Sequence, residues 1–204
     1  MKRRSTAPSK DQRLLVVDDE ESLRILFSMA LAGKGVTVET SGDGYEALEA
    51  VRRDAFDLIL LDLRMPRLDG SEFLKQLRIE GNSSRVIVCS AELDARVVAE
   101  LIPLGVVTFL SKPLSLVTFR ETVVGKLTSS GASLRAKALR LAERQQFSEA
   151  SALLSEEKET SSAAPHDDTA DLWRSLFSSV AAGFSGKSIL PYVRELISRG
   201  CLIH

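Results

Sequence analysis

The 204-residue sequence predicts a five-stranded parallel sheet, doubly wound by helices on both faces, followed by a small all-α domain. Apolar runs without alternation, among them Leu14-Leu15-Val16-Val17 and Leu58-Ile59-Leu60-Leu61, read as strands covered on both sides. Segments of helical period follow each such run, so strand and helix alternate five times, which requires right-handed crossovers. Beyond residue 127 only helical periods remain.

The elements come in order. A polar, basic, proline-containing tail occupies residues 1–11, and the α/β domain spans 12–127. Leu14–Val17 is the first strand, and Leu23, Leu26, Phe27, Ala30 and Leu31 give the helical stripe of Ser22–Leu31, stopped by Gly33 and Gly35. Val36–Glu39 is the second strand, Gly42-Asp43-Gly44 the turn and Tyr45–Arg53 the next helix. Leu58–Leu61 is the third strand, with a helix from about Ser71 to Ile79. Arg85–Cys89 and Val106–Leu110 are the fourth and fifth strands, followed by helices at Asp94–Leu101 and Leu116–Leu127.

Ligands of open α/β sheets bind at the carboxyl ends of the strands. Those ends carry Asp18 and Asp19 after the first strand, Asp62 after the third, Ser90 after the fourth and Ser111-Lys112-Pro113 after the fifth. Three clustered carboxylates repel unless a cation sits among them, and hard oxygen ligands of this kind suit Mg²⁺ with a phosphate. An ammonium such as that of Lys112 suits a phosphoryl oxygen, and a carboxylate can itself be the nucleophile, giving an acyl phosphate. Taken singly, Asp18 or Asp19 would be a turn or helix cap, Phe109 core and Lys112 a solvated charge; only their joint spacing carries the argument. Asp69 and Gly70 read as the turn and start of the following helix.

Composition narrows the classes. No run approaches the roughly 20 apolar residues of a membrane helix, and the opening residues lack the apolar core of a secretion signal, so a cytoplasmic location is expected. Two distant cysteines, Cys89 and Cys201, and two histidines, His166 and His204, give no disulfide framework or metal spacing. Residues 11–125 carry 13 Lys and Arg against 19 Asp and Glu, and residues 126–204 carry 10 against 9, without the positive footprint of a nucleic-acid binder.

Val17-Asp18-Asp19-Glu20, the stretch Asp62-Leu-Arg-Met-Pro-Arg-Leu-Asp-Gly70, Ser90-Ala91 and Lys112-Pro113 resemble the response-regulator receiver domain of two-component signalling. The likeness covers about residues 12–127 and implies a flavodoxin-like fold. It further implies that Asp62 accepts phosphate from a histidine kinase or phosphotransfer protein. Asp19 would bind Mg²⁺ directly, Asp18 largely through water, and the backbone carbonyl of Arg64 would be a further ligand. Lys112 would pair with the phosphoryl group, ahead of a cis bond to Pro113. Ser90 would move to the phosphate and Phe109 turn inward behind it. Arg64 and Glu92 flank the phosphate position where their charges would tune dephosphorylation. The resemblance implies no enzyme beyond self-phosphorylation and self-dephosphorylation.

Two rivals share parts of this chemistry. A haloacid-dehalogenase-like phosphohydrolase needs a second aspartate two residues after the first, where Arg64 stands, and a nucleotide-binding domain needs a Gly-rich loop after the first strand.

Residues 132–204 read as a helical output or interaction module. Ala138–Leu154 resembles one tetratricopeptide-like hairpin, Glu156–Asp168 a flexible connector, and Thr169–Phe184 and Ser188–Arg199 two further amphipathic helices. These helices must pack on one another, on the α/β domain or on a second copy, which makes a homodimer one expectation. Protein contact is the expected output. DNA binding is the alternative, with Ser198-Arg199 and the set Arg135, Lys137, Arg140 and Arg144 as its best basic candidates, the second at the helical spacing that a solvated face also has. His166, beside Asp167 and Asp168 in the connector, is poorly placed for a phosphotransfer histidine.

Overall fold

The computed structural model describes residues 12–128, 134–160 and 168–203. The expected tail, most of the polar break after Thr128 and the part of the connector that holds His166 lie outside the described residues.

Strands β1 (Gln12–Val17), β2 (Val36–Ser41), β3 (Leu58–Leu61), β4 (Arg85–Ser90) and β5 (Phe109–Ser111) form one parallel sheet in the order β2-β1-β3-β4-β5. Helices α1 (Glu21–Leu31), α2 (Gly44–Arg53), α3 (Gly70–Ile79), α4 (Ala95–Leu101) and α5 (Leu116–Thr128) provide the crossovers. Strand parity sorts the core into two layers. Leu14, Val16, Leu58, Leu60, Ile87, Cys89 and Leu110 pack with Phe27 of α1 and Phe119 of α5, whose rings stack at 4.3 Å. Leu15, Val17, Ile59, Leu61, Val86, Val88 and Phe109 face the layer of α2, α3 and α4. Because both their faces are covered, the inner strands β1, β3 and β4 carry unbroken apolar runs.

Short polar side chains start the helices. Asp43 accepts from the amides of Tyr45 and Glu46, Asp69 from Glu72, and Asp94 from Arg96 and Val97. Each satisfies an amide that has no partner within its helix, and each cap contributes about 1 kcal/mol.

The fifth strand lies later than its apolar run predicts, at Phe109–Ser111 rather than Val106–Leu110. Val106 and Val107 are buried, but by side-chain packing in a cluster that includes Ala138 and Ala142 rather than by strand pairing. Gly105 permits that approach: its φ is +82°, and a Cβ there would lie 2.6 Å from the carbonyl oxygen of Glu143.

The rest of the chain is helical: α6 (Leu134–Glu143), α7 (Phe147–Thr160), α8 (Asp168–Ala181) and α9 (Leu190–Ser198), with a 3₁₀ turn at Gly186–Ser188. α7 runs into the stretch expected to be connector, because Glu156, Glu157 and Lys158 are good helix formers that extend it. α8 ends at Ala181, short of Phe184, where the amides of Gly183 and Phe184 turn back to the carbonyls of Val180 and Ser179. The last helix starts at Leu190, later than Ser188, with Pro191 in its first turn.

Consecutive helices pack on one another, and α9 and the 3₁₀ turn lie against α4. Trp173 of α8, 1% exposed, sits 5.3 Å from the Phe177 ring, which lies 5.9 Å from that of Phe147. α4 is consequently buried on two sides, with Val98, Ala99, Leu101 and Ile102 all enclosed. Val193 and Leu196 of α9, and Ile189 just before it, are fully buried, each contributing about 1.5–3 kcal/mol by leaving water. After α9 the chain reaches the open edge of the sheet. The Phe109 amide donates to the Leu202 carbonyl at 3.3 Å, and Ile203 forms a parallel bridge to Phe109. No helix among the described residues is long and apolar enough to cross a membrane.

Candidate phosphoryl and metal site

Strand order places the site. The chain runs from β1 outward to β2 and then returns to the other side of β1 as β3, so the loops after β1 and β3 diverge and leave a crevice between them. Asp18 and Asp19 follow β1, and Asp62 follows β3 beside them, its amide donating to the Val17 carbonyl at 2.9 Å. One oxygen from each of Asp18, Asp19 and Asp62 falls within 4.8 Å of the others. Asp18 and Asp62 are buried while Asp19 is exposed, so the cluster opens to solvent on one side.

Lys112 closes the cluster from β5. Its Nζ donates to Asp62 Oδ2 at 2.6 Å and to Asp18 Oδ2 at 2.7 Å, across a side chain only 16% exposed. Burial works against the ammonium, but the bonds to the two aspartates outweigh it and raise its pKa above the ordinary lysine value. Burial also raises the Asp18 pKa above the usual carboxylate range, against the lowering effects of Lys112 and of the Glu20 amide, which donates to Asp18 Oδ1 at 3.0 Å. One ammonium does not fully offset two buried carboxylates and an exposed third.

The remaining expected residues sit around this centre. The Arg64 amide donates to Asp62 Oδ1 at 3.2 Å, which keeps the Arg64 backbone at the site, while its guanidinium turns out to pair with Glu92 on the surface. Ser90 ends β4 fully buried, and its carbonyl accepts from the Lys112 amide at 3.0 Å. Its Oγ lies 3.5 Å from the Glu92 amide, a long contact. The Lys112–Pro113 bond is cis. Phe109 is fully buried, in the same core layer as Leu202.

Two residues of the site carry little signal in the sequence. Arg24 on α1 donates from Nη1 to the carbonyls of Asp18 and Asp19, at 2.7 and 3.0 Å, and so fixes the loop that presents both carboxylates. A cation one turn into the helix after an acidic pair is the only clue to that role. Gly70 is more than a turn residue: a Cβ there would stand 2.1 Å from the Asp62 carbonyl oxygen, so only glycine lets α3 start this close beneath Asp62. Its amide donates to the Leu63 carbonyl at 3.0 Å.

The donor set is three carboxylates beside a backbone segment, all hard oxygen, open on one side and short of positive charge. It fits a hard divalent cation that retains water.

The comparisons with known proteins agree with this geometry. The model of the response regulator receiver domain family matches residues 14–124. Sporulation initiation phosphotransferase F of Bacillus subtilis is 31% identical over 113 residues, which cover 55% of this chain and 91% of the relative. Response regulator MprA of Mycobacterium leprae is 38% identical over 104 residues, 51% of this chain, and the match spans only 46% of MprA. Among solved structures, the chemotaxis response regulator CheY4 of Vibrio cholerae superposes with a TM-score of 0.53 at 31% identity, covering 56% of this chain and 98% of CheY4. A response regulator receiver protein from Pseudomonas putida gives 0.54 at 27% identity over 57% of this chain and 98% of its own. The family match stops at residue 124, before α6. With three acidic side chains, a lysine and a buried serine gathered at the switch point of a five-stranded parallel sheet, this chain belongs to the response regulator receiver domain family of two-component systems.

Proposed function

We propose that the chain is a two-component response regulator in which Asp62 accepts a phosphoryl group from a histidine kinase or phosphotransfer protein. The observation that carries this reading is the Lys112 ammonium, bonded at once to Asp18 and Asp62 inside a carboxylate cluster open to solvent. An Asp62 oxygen attacks phosphorus as the bond to the donor nitrogen breaks, with the electron pair leaving on the donor imidazole. The product is an acyl phosphate. Lys112 already sits within hydrogen-bond reach of Asp62, so its ammonium meets the new phosphoryl oxygens without a large movement. Ser90, at the end of the neighbouring strand, supplies a hydroxyl to the same group.

Asp18, Asp19, Asp62 and the Arg64 carbonyl would hold Mg²⁺, which supplies charge neutralisation at the transferring group. Asp18 and Asp62 lie deep and Asp19 at the mouth, a difference that suits an ion partly bound through water. No external substrate is turned over in this reading: the chain catalyses only its own phosphorylation and dephosphorylation.

The surface beside the mouth is apolar. Ile25, Leu26 and Met29 of α1 and Leu116 and Val117 of α5 are exposed, on two helices that pack together and begin next to Asp19 and Lys112. That patch gives a protein donor a surface to press against while its phosphorylated side chain reaches Asp62. The helical part transmits the state by protein contact; its 10 basic and 9 acidic residues over 126–204 support that reading over DNA binding. A small phosphodonor should label the chain when Mg²⁺ is present and leave Asp62→Asn unlabelled. Equal labelling of Asp62→Asn would refute the assignment.

A further inference from the structure

The segment Cys201–Ile203 lies on the sheet edge formed by β5, the strand that leads into Lys112. β5 is three residues long and pairs on one side with β4. On its other side Leu202 and Ile203 run parallel to it, joined through Phe109. Lys112 stands three residues beyond Phe109, directly after the strand, and reaches across to Asp62. A single short strand thus leads into the lysine of the site and anchors the segment Cys201–Ile203.

The two attachments of this region differ in strength. α9 packs against both α4 and α8, and Val193 and Leu196 of the helix, with Ile189 just before it, are fully buried. The segment Cys201–Ile203 is held to β5 by one backbone bond at 3.3 Å and one bridge; Leu202 is its one fully buried side chain, Cys201 and Ile203 are partly buried, and the Cys201 amide is tied back to the Leu196 carbonyl of α9 at 2.9 Å. Coupling between two sites ordinarily shifts an equilibrium by about 5- to 150-fold. That range suffices to displace a segment with one fully buried side chain but not a helix and its lead-in with three. The helical part also has little apolar surface to spare: its only large apolar side chain that is exposed, among the described residues, is Phe184. Undocking α9 would expose the buried Ile189, Val193 and Leu196 to water, whereas loss of the edge segment exposes one such side chain and uncovers unpaired backbone on β5, ready to take an extended strand.

We propose that Cys201–Ile203 is a displaceable edge strand on β5, and that a phosphoryl group on Asp62 releases it while α9 stays docked. This rests on the reading of Asp62 as phosphoacceptor. When Lys112 turns from two carboxylates to a phosphoryl group, the end of β5 moves with it, and the partner strand with the fewest contacts is the one that lets go.

The test uses the full chain with beryllofluoride and Mg²⁺ as the phosphoryl mimic. Fluorine NMR reads binding at the site, and hydrogen exchange reads the amides of Phe109 and of α9. The expected result is a bound fluorine signal, exchange of the Phe109 amide faster by about tenfold or more, and unchanged exchange in α9. A bound signal with Phe109 exchange unchanged or slower overturns the edge-strand proposal and leaves the phosphoryl reading standing. Absence of a bound signal overturns both. In Leu202→Asp the Phe109 amide should exchange fast before any mimic is added, with α9 still protected. If α9 loses protection together with Phe109, the segment is not separable and the proposal fails.

Discussion

Replacing Lys112 by methionine keeps most of the side-chain volume and removes the ammonium. Asp18 and Asp62, 2% and 7% exposed, then face each other without their shared partner. Their oxygens lie within 4.8 Å, and at an effective dielectric of about 20 two unit charges at that distance repel by about 3.5 kcal/mol. Loss of one partner from a buried pair ordinarily costs about 3–5 kcal/mol, so both routes lead to about 3 kcal/mol at neutral pH. Proton uptake limits the loss and gives it a pH dependence. Burial raises the Asp18 pKa above its ordinary 3.8, so the folded chain holds that proton more tightly than the unfolded one. The destabilisation is therefore absent below the unfolded value and sets in as pH rises through the higher folded value. Urea unfolding followed by the fluorescence of Trp173, the single tryptophan, reads it. With a slope of about 2 kcal/mol/M the midpoint should fall by about 1.5 M at pH 7 and by much less near pH 3.5. A deficit that is the same at both pH values, or below about 1 kcal/mol at pH 7, would refute the electrostatic account.

Gly70→Ala should cost about 2–4 kcal/mol and slow phosphoryl uptake, because its Cβ would stand 2.1 Å from the Asp62 carbonyl oxygen and 2.9 Å from Leu63 Cα, both backbone; unfolding and labelling rates check it. Asp19→Asn should weaken Mg²⁺ binding about tenfold in a calorimetric titration while leaving stability nearly unchanged, since Asp19 is exposed. Burial pushes the Cys89 thiol up to about 12, so at pH 8 its thiolate fraction is about one in ten thousand, whereas Cys201 is half-exposed. Alkylation of the folded chain should therefore modify Cys201 first, located by peptide mass mapping.

The α/β part is legible because β1, β3 and β4 carry runs that are apolar on both faces and end at residues with chemistry. Leu58–Leu61 running into Asp62 is the clearest case, and β3 has those bounds. β5 starts later than the apolar run suggests because Val106 and Val107 have the apolarity of a strand but are buried by side-chain packing in a cluster that reaches Ala138 and Ala142 of α6, which no local pattern encodes. The gathering of Asp18, Asp19, Asp62 and Lys112 followed from strand ends alone. The support beneath them did not: Gly70 and Arg24 act through the backbone of other loops, at distances that sequence spacing does not express. The helical part left three packing partners open, and the structure places α9 on α4 of the same chain. The pairing of Leu202 and Ile203 with β5 had one trace in the sequence, an apolar pair after the stop at Gly200, too short to read as a strand.

The central claim is that Asp62 is the residue that takes the phosphoryl group. Treating the full chain with a small phosphodonor in Mg²⁺, reducing the acyl phosphate with borohydride and sequencing the peptides by mass spectrometry locates the acceptor directly. The account predicts homoserine at position 62, dependent on Mg²⁺ and on the donor. Homoserine at Asp18 or Asp19, or none at all from a folded, Mg²⁺-loaded chain, would contradict it.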